Sequence, residues 1–333
     1  MGKGICVAGN MMVDIVIPTN GWPKCGELVH IGEDISRMTG GAVCNVLMSL
    51  ARLDAQMPLS AMGRVGADAE GEFILSQFAP HANIDTSRII CEGTTAFTLV
   101  MSDVLSKERT FFTCLGVNGR FCEEDIDWDG LDCDILHVGY ILLLNELDRE
   151  DAQYGTRMAR LLHSARQRGI RTSIDVVSEA GDRFHRLVPP ALRYADYCVI
   201  NELEAGETTG IPLRDPDGRL RRADMLRALR RMKEMGVSTW AVIHCPEGAF
   251  GLDEQDNYAE LDSLRLPDGY IQATVGAGDA FCAGVLCAAE RGELLAQALE
   301  LGTAAAAASL GHESATGGVG TIAQVMELYR KLR

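Results

Sequence analysis

The stretch Met158-Ala159-Arg160-Leu161-Leu162-His163-Ser164-Ala165-Arg166-Gln167-Arg168-Gly169-Ile170-Arg171-Thr172-Ser173-Ile174-Asp175-Val176 changes its hydrophobic period midway. Met158, Leu161, Leu162 and Ala165 recur at helical spacing and predict a helix over Arg149 to Arg168. Thr172 to Val176 is short, β-branched and apolar, so it reads as a buried strand. Outward from there the alternation repeats. Ile5 to Ala8, Ile135 to Val138, Tyr197 to Ile200 and Thr239 to Ile243 are further strands, and Ala223 to Met235 is a helix through Leu226, Leu229 and Met232. Strand, helix, strand in this order implies an α/β fold with a mainly parallel sheet covered on both faces. Residues 15–37 and 94–112 break the rhythm, being strand-like with no helical period. They are expected to pair as a small β-sheet lid over the strand ends where open α/β sheets bind ligands; surface hairpins with no function are the other reading.

The 333 residues suffice for a single large domain, with 47% hydrophobic and 23% charged residues typical of a folded globular enzyme. Thirty-one lysines and arginines stand against 47 aspartates and glutamates, a net charge of −16. Such a surface repels nucleic acid and anionic membranes, so neither is an expected partner, and a polyanionic ligand needs a local site. Eleven cysteines are scattered singly between Cys6 and Cys287, without metal-site spacing. With no signal peptide or membrane-length apolar run in the sequence, the expected location is the cytoplasm.

Ala273-Thr274-Val275-Gly276-Ala277-Gly278-Asp279-Ala280-Phe281 precedes an apolar helical segment ending at Glu290. Small residues at 276–278 leave backbone N–H groups uncovered at a helix N-terminus, which makes an anion hole. Asp279 at its rim can take a proton from a hydroxyl while the amides stabilise a transferred phosphoryl group. A tight turn with Asp279 as helix cap fits the same residues. A dinucleotide fingerprint fits worse, because Phe281 occupies the third glycine position.

Gly276-Ala277-Gly278-Asp279 with Thr274 resembles the C-terminal signature of the ribokinase-like (PfkB) carbohydrate kinases. Gly40-Gly41-Ala42-Val43-Cys44-Asn45, leading into a helix over Val46 to Leu53, resembles the N-terminal one, and Gly66-Ala67-Asp68-Ala69-Glu70-Gly71 follows it. The similarity runs from Gly9-Asn10-Met11-Met12-Val13-Asp14 to the last helices. It implies a three-layer ribokinase-like fold and an ATP- and Mg²⁺-dependent kinase acting on a hydroxyl of a sugar or sugar-like molecule, with Asp279 as base. By the same resemblance Asp14, Gly40, Gly41 and Asn45 bind the acceptor, although a turn residue and a helix cap are the plain readings of Asp14 and Asn45. Asn201-Glu202-Leu203-Glu204 matches the element that organises magnesium and phosphate through water, and Asn201 with Glu204 fits a capping box equally well. Thr274 and Gly248 are expected to touch the nucleotide. A homodimer through the lid is expected too, since so small a sheet leaves edges and apolar faces uncovered.

The chain departs from the family in two places. Ala273 stands where an aspartate usually opens the signature, removing a carboxylate from the monovalent-cation site that the resemblance implies. Ile243-His244-Cys245-Pro246-Glu247-Gly248 keeps only the last glycine of the usual nucleotide loop; His244 and Cys245 read best as a packed histidine and a buried cysteine. Ala42, where ribokinases carry lysine, resembles the fructokinase and keto-sugar acid kinase branches. Arg109, in Glu108-Arg109-Thr110-Phe111-Phe112 on the lid, reaches either a polar acceptor or a lid salt bridge. Tyr140 after His137-Val138-Gly139 can stack on a ring, which keeps a nucleoside kinase open, and the altered loop keeps open a catalytically weak sugar- or nucleoside-binding sensor.

Overall fold

This computed structural model describes residues 2–106, 108–178 and 182–333, and of Arg109 the backbone. The chain opens with strand β1 (Ile5–Gly9), followed by β2 (Met12–Thr19), β3 (Ser36–Gly40) and helix α1 (Ala42–Leu53). Next come β4 (Leu59–Val65), α2 (Ala69–Phe78), β5 (Ile84–Cys91), β6 (Ala96–Asp103) and β7 (Arg109–Cys114). The middle third holds β8 (Ile135–Ile141), a short hairpin of β9 (Glu150–Asp151) and β10 (Gly155–Thr156), α3 (Arg157–Gln167), β11 (Arg171–Val176) and α4 (Phe184–Leu192). It continues through β12 (Tyr197–Asn201), α5 (Glu202–Thr209), α6 (Met225–Met235), β13 (Trp240–Cys245), β14 (Gly248–Leu252) and β15 (Tyr258–Asp262). Helices α7 (Ala277–Glu290), α8 (Leu295–Leu310) and α9 (Ile322–Leu332) complete it.

The main sheet has nine strands in the order β15-β14-β13-β12-β11-β8-β1-β4-β5, and β14 alone runs opposite to the other eight. Side chains alternate cleanly through it. Ile5, Val7, Val199 and Val242 enter one core with α1, α2, α7, α8 and α9, while Cys6, Ala8, Cys198 and Ile243 enter the other with α3 to α6. This is the expected three-layer α/β architecture. The chain turns one way from β1 into β4 and β5 and the other way into β8, so the sheet reverses order between β1 and β8. That reversal opens a crevice at the strand C-terminal ends.

Within one core, α7 is buried without a break from Asp279 to Ala289. It lies so close to α8 that a Cβ on Gly284 would come within 2.7 Å of the Gly302 Cα. Small residues allow that approach, and Phe281 fills the space beside Gly302.

The lid is a four-stranded sheet in the order β3-β2-β6-β7. Strands β2 and β6 pair in parallel, and each carries an antiparallel edge strand. The lid strands extend beyond the expected segments, to Met12, Gly40 and Cys114, because the ladder continues to the points where the chain leaves the main sheet.

Three boundaries differ from expectation. The helix foreseen from Arg149 begins at Arg157; Asp151 accepts the amides of Gln153 and Tyr154 at 2.9 and 3.0 Å, a turn that delays it, and Thr156 then caps the Ala159 amide. Helix α1 begins at Ala42, so Asn45 lies inside the helix rather than capping it. Strand β13 runs on to Cys245 and folds back over Pro246 and Glu247 into β14, so the altered loop is a tight hairpin turn.

Candidate active site

The ends of β1, β8, β11, β12 and β13 and the N-termini of α1 and α7 meet at the crevice. At its centre is Asp279. Gly276, with φ of 83°, is the residue before α7 and offers no side-chain cap, so the amides at the helix N-terminus are left without a side-chain partner. A Cβ at Gly276 would lie 2.4 Å from that of Ala315, which reserves the position for glycine.

Asp279 does not cap its own helix. Its Oδ2 accepts from Asn45 Nδ2 at 2.8 Å and its Oδ1 from the Tyr140 hydroxyl at 2.6 Å. Burial, helped by the nearby Asp175, pushes this carboxyl up to about 6 against the two hydrogen bonds, which oppose the rise. Helix α1 thus delivers Asn45, β8 delivers Tyr140, and both hold one carboxylate in a fixed orientation.

On the lid side, Gly40 and Gly41 allow close approach. A Cβ on Gly40 would lie 2.6 Å from Asp14 Oδ2, and one on Gly41 would lie 2.4 Å from Asn10 Oδ1. Asp14, mid-strand in β2 rather than in a turn, is half-buried with its carboxyl raised to about 6 by desolvation. Asn10 is fully buried with both amide atoms unpartnered, and Asn45 Oδ1 is unpartnered too. Buried polar atoms of this kind want a polar ligand. Arg109 begins β7 opposite Ser102, and its side chain lies outside the described residues.

On the other side of Asp279 is a cavity of about 470 Å³ that Asn201, Thr274, Ala277, Gly278 and Gly248 all line. Asn201 Oδ1 accepts the amides of Leu203 and Glu204, and Glu204 Oε2 accepts the Asn201 amide, so the capping box is present. Glu204 Oε1 accepts from Ser178, and burial pushes the carboxyl up to about 7 against these hydrogen bonds. With both carboxylate oxygens engaged, the pair suits a hydrated cation held through water better than a directly ligated one. His244 packs on Phe281 with centroids 4.9 Å apart; burial lowers it to about 4, so it is neutral at physiological pH. Cys245 is half-buried and its thiol donates to the Gly248 carbonyl.

Sequence reasoning missed Asp175 and Arg214, and it read Tyr140 as a ring to stack on rather than as a partner of Asp279. Asp175, next to last in β11, has its Oδ2 3.5 Å from His137 Nε2, and a carboxylate inside a strand read as buried was the available signal. Tyr140 meets Asp279 through its hydroxyl, which no spacing rule exposes. Arg214 forks onto Glu247 at 2.8 and 2.9 Å and also pairs with the buried Glu202, clamping the hairpin that replaced the glycine-rich loop.

Residues 3–321 match the sequence profile of the pfkB family carbohydrate kinases. A ribokinase of Lactococcus lactis is 40% identical over 78 residues, 23% of this chain and 25% of that protein. Matches to that ribokinase and to one of Bacillus subtilis therefore span about a quarter of those relatives' length. An uncharacterized sugar kinase of Archaeoglobus fulgidus is 25% identical over 78% of this chain and 93% of its own. Among solved structures, Arabidopsis thaliana ribokinase, complexed with ribose and ATP, superposes with a TM-score of 0.81 at 19% identity over 99% of both chains. A Methanocaldococcus jannaschii nucleoside kinase superposes at 0.74 and 16% identity, over 99% of this chain and 98% of its own.

Proposed function

Because the chain belongs to the pfkB family of carbohydrate kinases, we propose that it transfers the γ-phosphoryl group of MgATP to a hydroxyl of a sugar or sugar-like small molecule. The observation that carries this reading is the placement of Asp279. It sits between the cavity that Gly278 lines and the polar groups of Asn45, Asn10 and Asp14. In this reading the acceptor hydroxyl loses its proton to Asp279, and Tyr140 and Asn45 fix the carboxylate's direction. The amides of Gly276, Ala277 and Gly278 stabilise charge on the moving phosphoryl group. Asn201 and Glu204 orient the hydrated magnesium that arrives with the nucleotide, and Thr274 and Gly248 border its phosphates.

An ADP-release screen over ketoses, aldoses, sugar acids and nucleosides tests the assignment. Turnover with a sugar or polyol is the expected result; turnover with nucleosides alone would make it a nucleoside kinase. Binding of a sugar without any ADP release would leave only a sensor.

The pH profile provides a separate check. Asp279 works as a base only when ionised, so kcat/KM falls as pH drops through about 6. The Tyr140 hydrogen bond favours the ionised form, and its removal in Tyr140→Phe raises the carboxyl's pKa. A hydrogen bond to a charged group contributes roughly 1.5–3 kcal/mol, about one to two pH units. The acidic limb of the variant is therefore expected at higher pH, with activity partly restored in alkaline buffer. An unshifted limb would remove Asp279 from the titration.

The working protein is proposed to be a cytoplasmic homodimer paired through the lid. All eleven cysteines are free thiols, as a reducing compartment favours, and no helix among the described residues is long and apolar enough to cross a membrane. Neighbouring Phe111 and Phe112 on β7 are 61% and 52% exposed, so both faces of the lid edge present an aromatic ring. Sedimentation at micromolar concentration is expected to give a dimer, and Phe111→Asp a monomer. A wild-type monomer would remove the lid from any interface.

A further inference from the structure

We infer that Arg52 is a positioning residue of the anion hole: its guanidinium holds the segment after α8 against Gly276, and so keeps the α7 amides aimed at the moving phosphoryl group. The inference rests on the kinase reading above and adds to it a residue that acts through another. Arg52 lies in the last turn of α1, seven residues after Asn45 and therefore on the same face of that helix. Its Nη1 donates to the Thr316 carbonyl. Among the described residues it has no carboxylate partner, and partial burial lowers its pKa, although arginine keeps its charge at any working pH. Its titratable neighbour His81 is itself a cation when protonated, held below its ordinary value by burial first and by Arg52 second. Taking a cation out of water without an acid beside it is unfavourable, so the charge-assisted bond to Thr316 carries the compensation.

The place of Thr316 in the chain gives that bond its use. Residues 311–320 hold four glycines, Gly311, Gly317, Gly318 and Gly320, and so have little stiffness of their own. Ser309, within α8, donates from its Oγ to the Ala315 carbonyl at 3.1 Å. Arg52 ties the next carbonyl to α1. Ala315, the first of these two tied residues, lies against Gly276: a Cβ added there would meet the Ala315 Cβ at 2.4 Å and its Cα and carbonyl oxygen at 2.7 Å. Helix α7 has no side-chain cap, so Ala315 backs the turn that opens it. A drift of this segment shifts the amides of Gly276 to Gly278, and misplacement by about 1 Å costs on the order of 10²-fold in rate.

Arg52→Ala is expected to lower kcat about 10²-fold with the acceptor KM little changed, because Asn10, Asp14 and Asn45 are untouched. Guanidinium chloride far below denaturing concentration, compared with equal sodium chloride, should restore part of that kcat and leave the wild type and Asp279→Asn unaffected. Arg52→Met keeps the apolar stem, and should lose as much kcat with an unchanged melting temperature. Deuterium exchange at the amides of Gly276 to Gly278 should quicken in both variants. Wild-type kcat in the variants, unchanged exchange at those amides, or a loss that follows the melting temperature and that guanidinium does not restore would overturn the inference and leave the kinase reading intact. A wild type that releases no ADP with any acceptor would end the kinase reading and this inference with it.

Discussion

Asp279→Asn is expected to lower kcat by about 10³-fold or more while leaving the fold and acceptor binding in place. The amide preserves shape and can still meet Asn45 and Tyr140, whose groups lie at 2.8 and 2.6 Å. It cannot take a proton. General-base catalysis contributes roughly 10²–10⁴ in rate, and a misdirected hydrogen bond from the new amide adds to the loss. Steady-state kinetics beside an acceptor titration measures both quantities. A variant turning over at near wild-type rate would mean the proton leaves by another route and would end the assignment of the base.

Gly41→Ala is expected to destabilise the chain by about 3 kcal/mol, among the larger effects available to a single methyl group. Two penalties combine. At φ of 87° an L-residue is strained, and its Cβ would lie 2.4 Å from Asn10 Oδ1 and 2.5 Å from the Asn10 carbonyl oxygen. Backbone cannot yield as a flexible side chain can, so α1 and the end of β1 must separate. Gly210→Ala isolates the first penalty, because φ is 70° there and nothing lies within 4 Å of the added carbon; its cost should be about 1 kcal/mol. Urea unfolding of both proteins gives the comparison. Equal losses would show that the Asn10 contact is softer than its geometry implies.

Much of this architecture was legible because its signals are local and periodic. The runs at Ile5, Ile135, Tyr197 and Trp240 are buried strands whose alternate residues serve two cores, and the run at Thr172 is buried too, with Ile174 and Val176 in one of them, as a parallel sheet covered on both sides requires. The lid was visible as an interruption of that rhythm. Boundaries failed where a side chain intervened, as at Asp151, which holds a turn inside a helical-looking segment. The site was legible to the extent that it is built from glycines and carboxylates at helix and strand ends. Its remaining parts come from pairs distant in sequence: Asn45 with Asp279, Tyr140 with Asp279, and Arg214 with Glu202 and Glu247. No periodicity reports such pairs, because each partner looks like an ordinary surface or capping residue until the chain is folded.

The burial of α7 on every side bears on how the protein fails. Amides in a helix that solvent never reaches exchange with deuterium only when the whole domain opens, whereas strands of a small, aromatic-edged lid open on their own at far lower cost. Asp279 heads that helix, anchored where Gly284 meets Gly302. Asp279, the proposed base, therefore has no local melting transition to undergo. On heating, its geometry should persist until the cooperative collapse of the domain, and any partial loss of function below that temperature belongs to the lid.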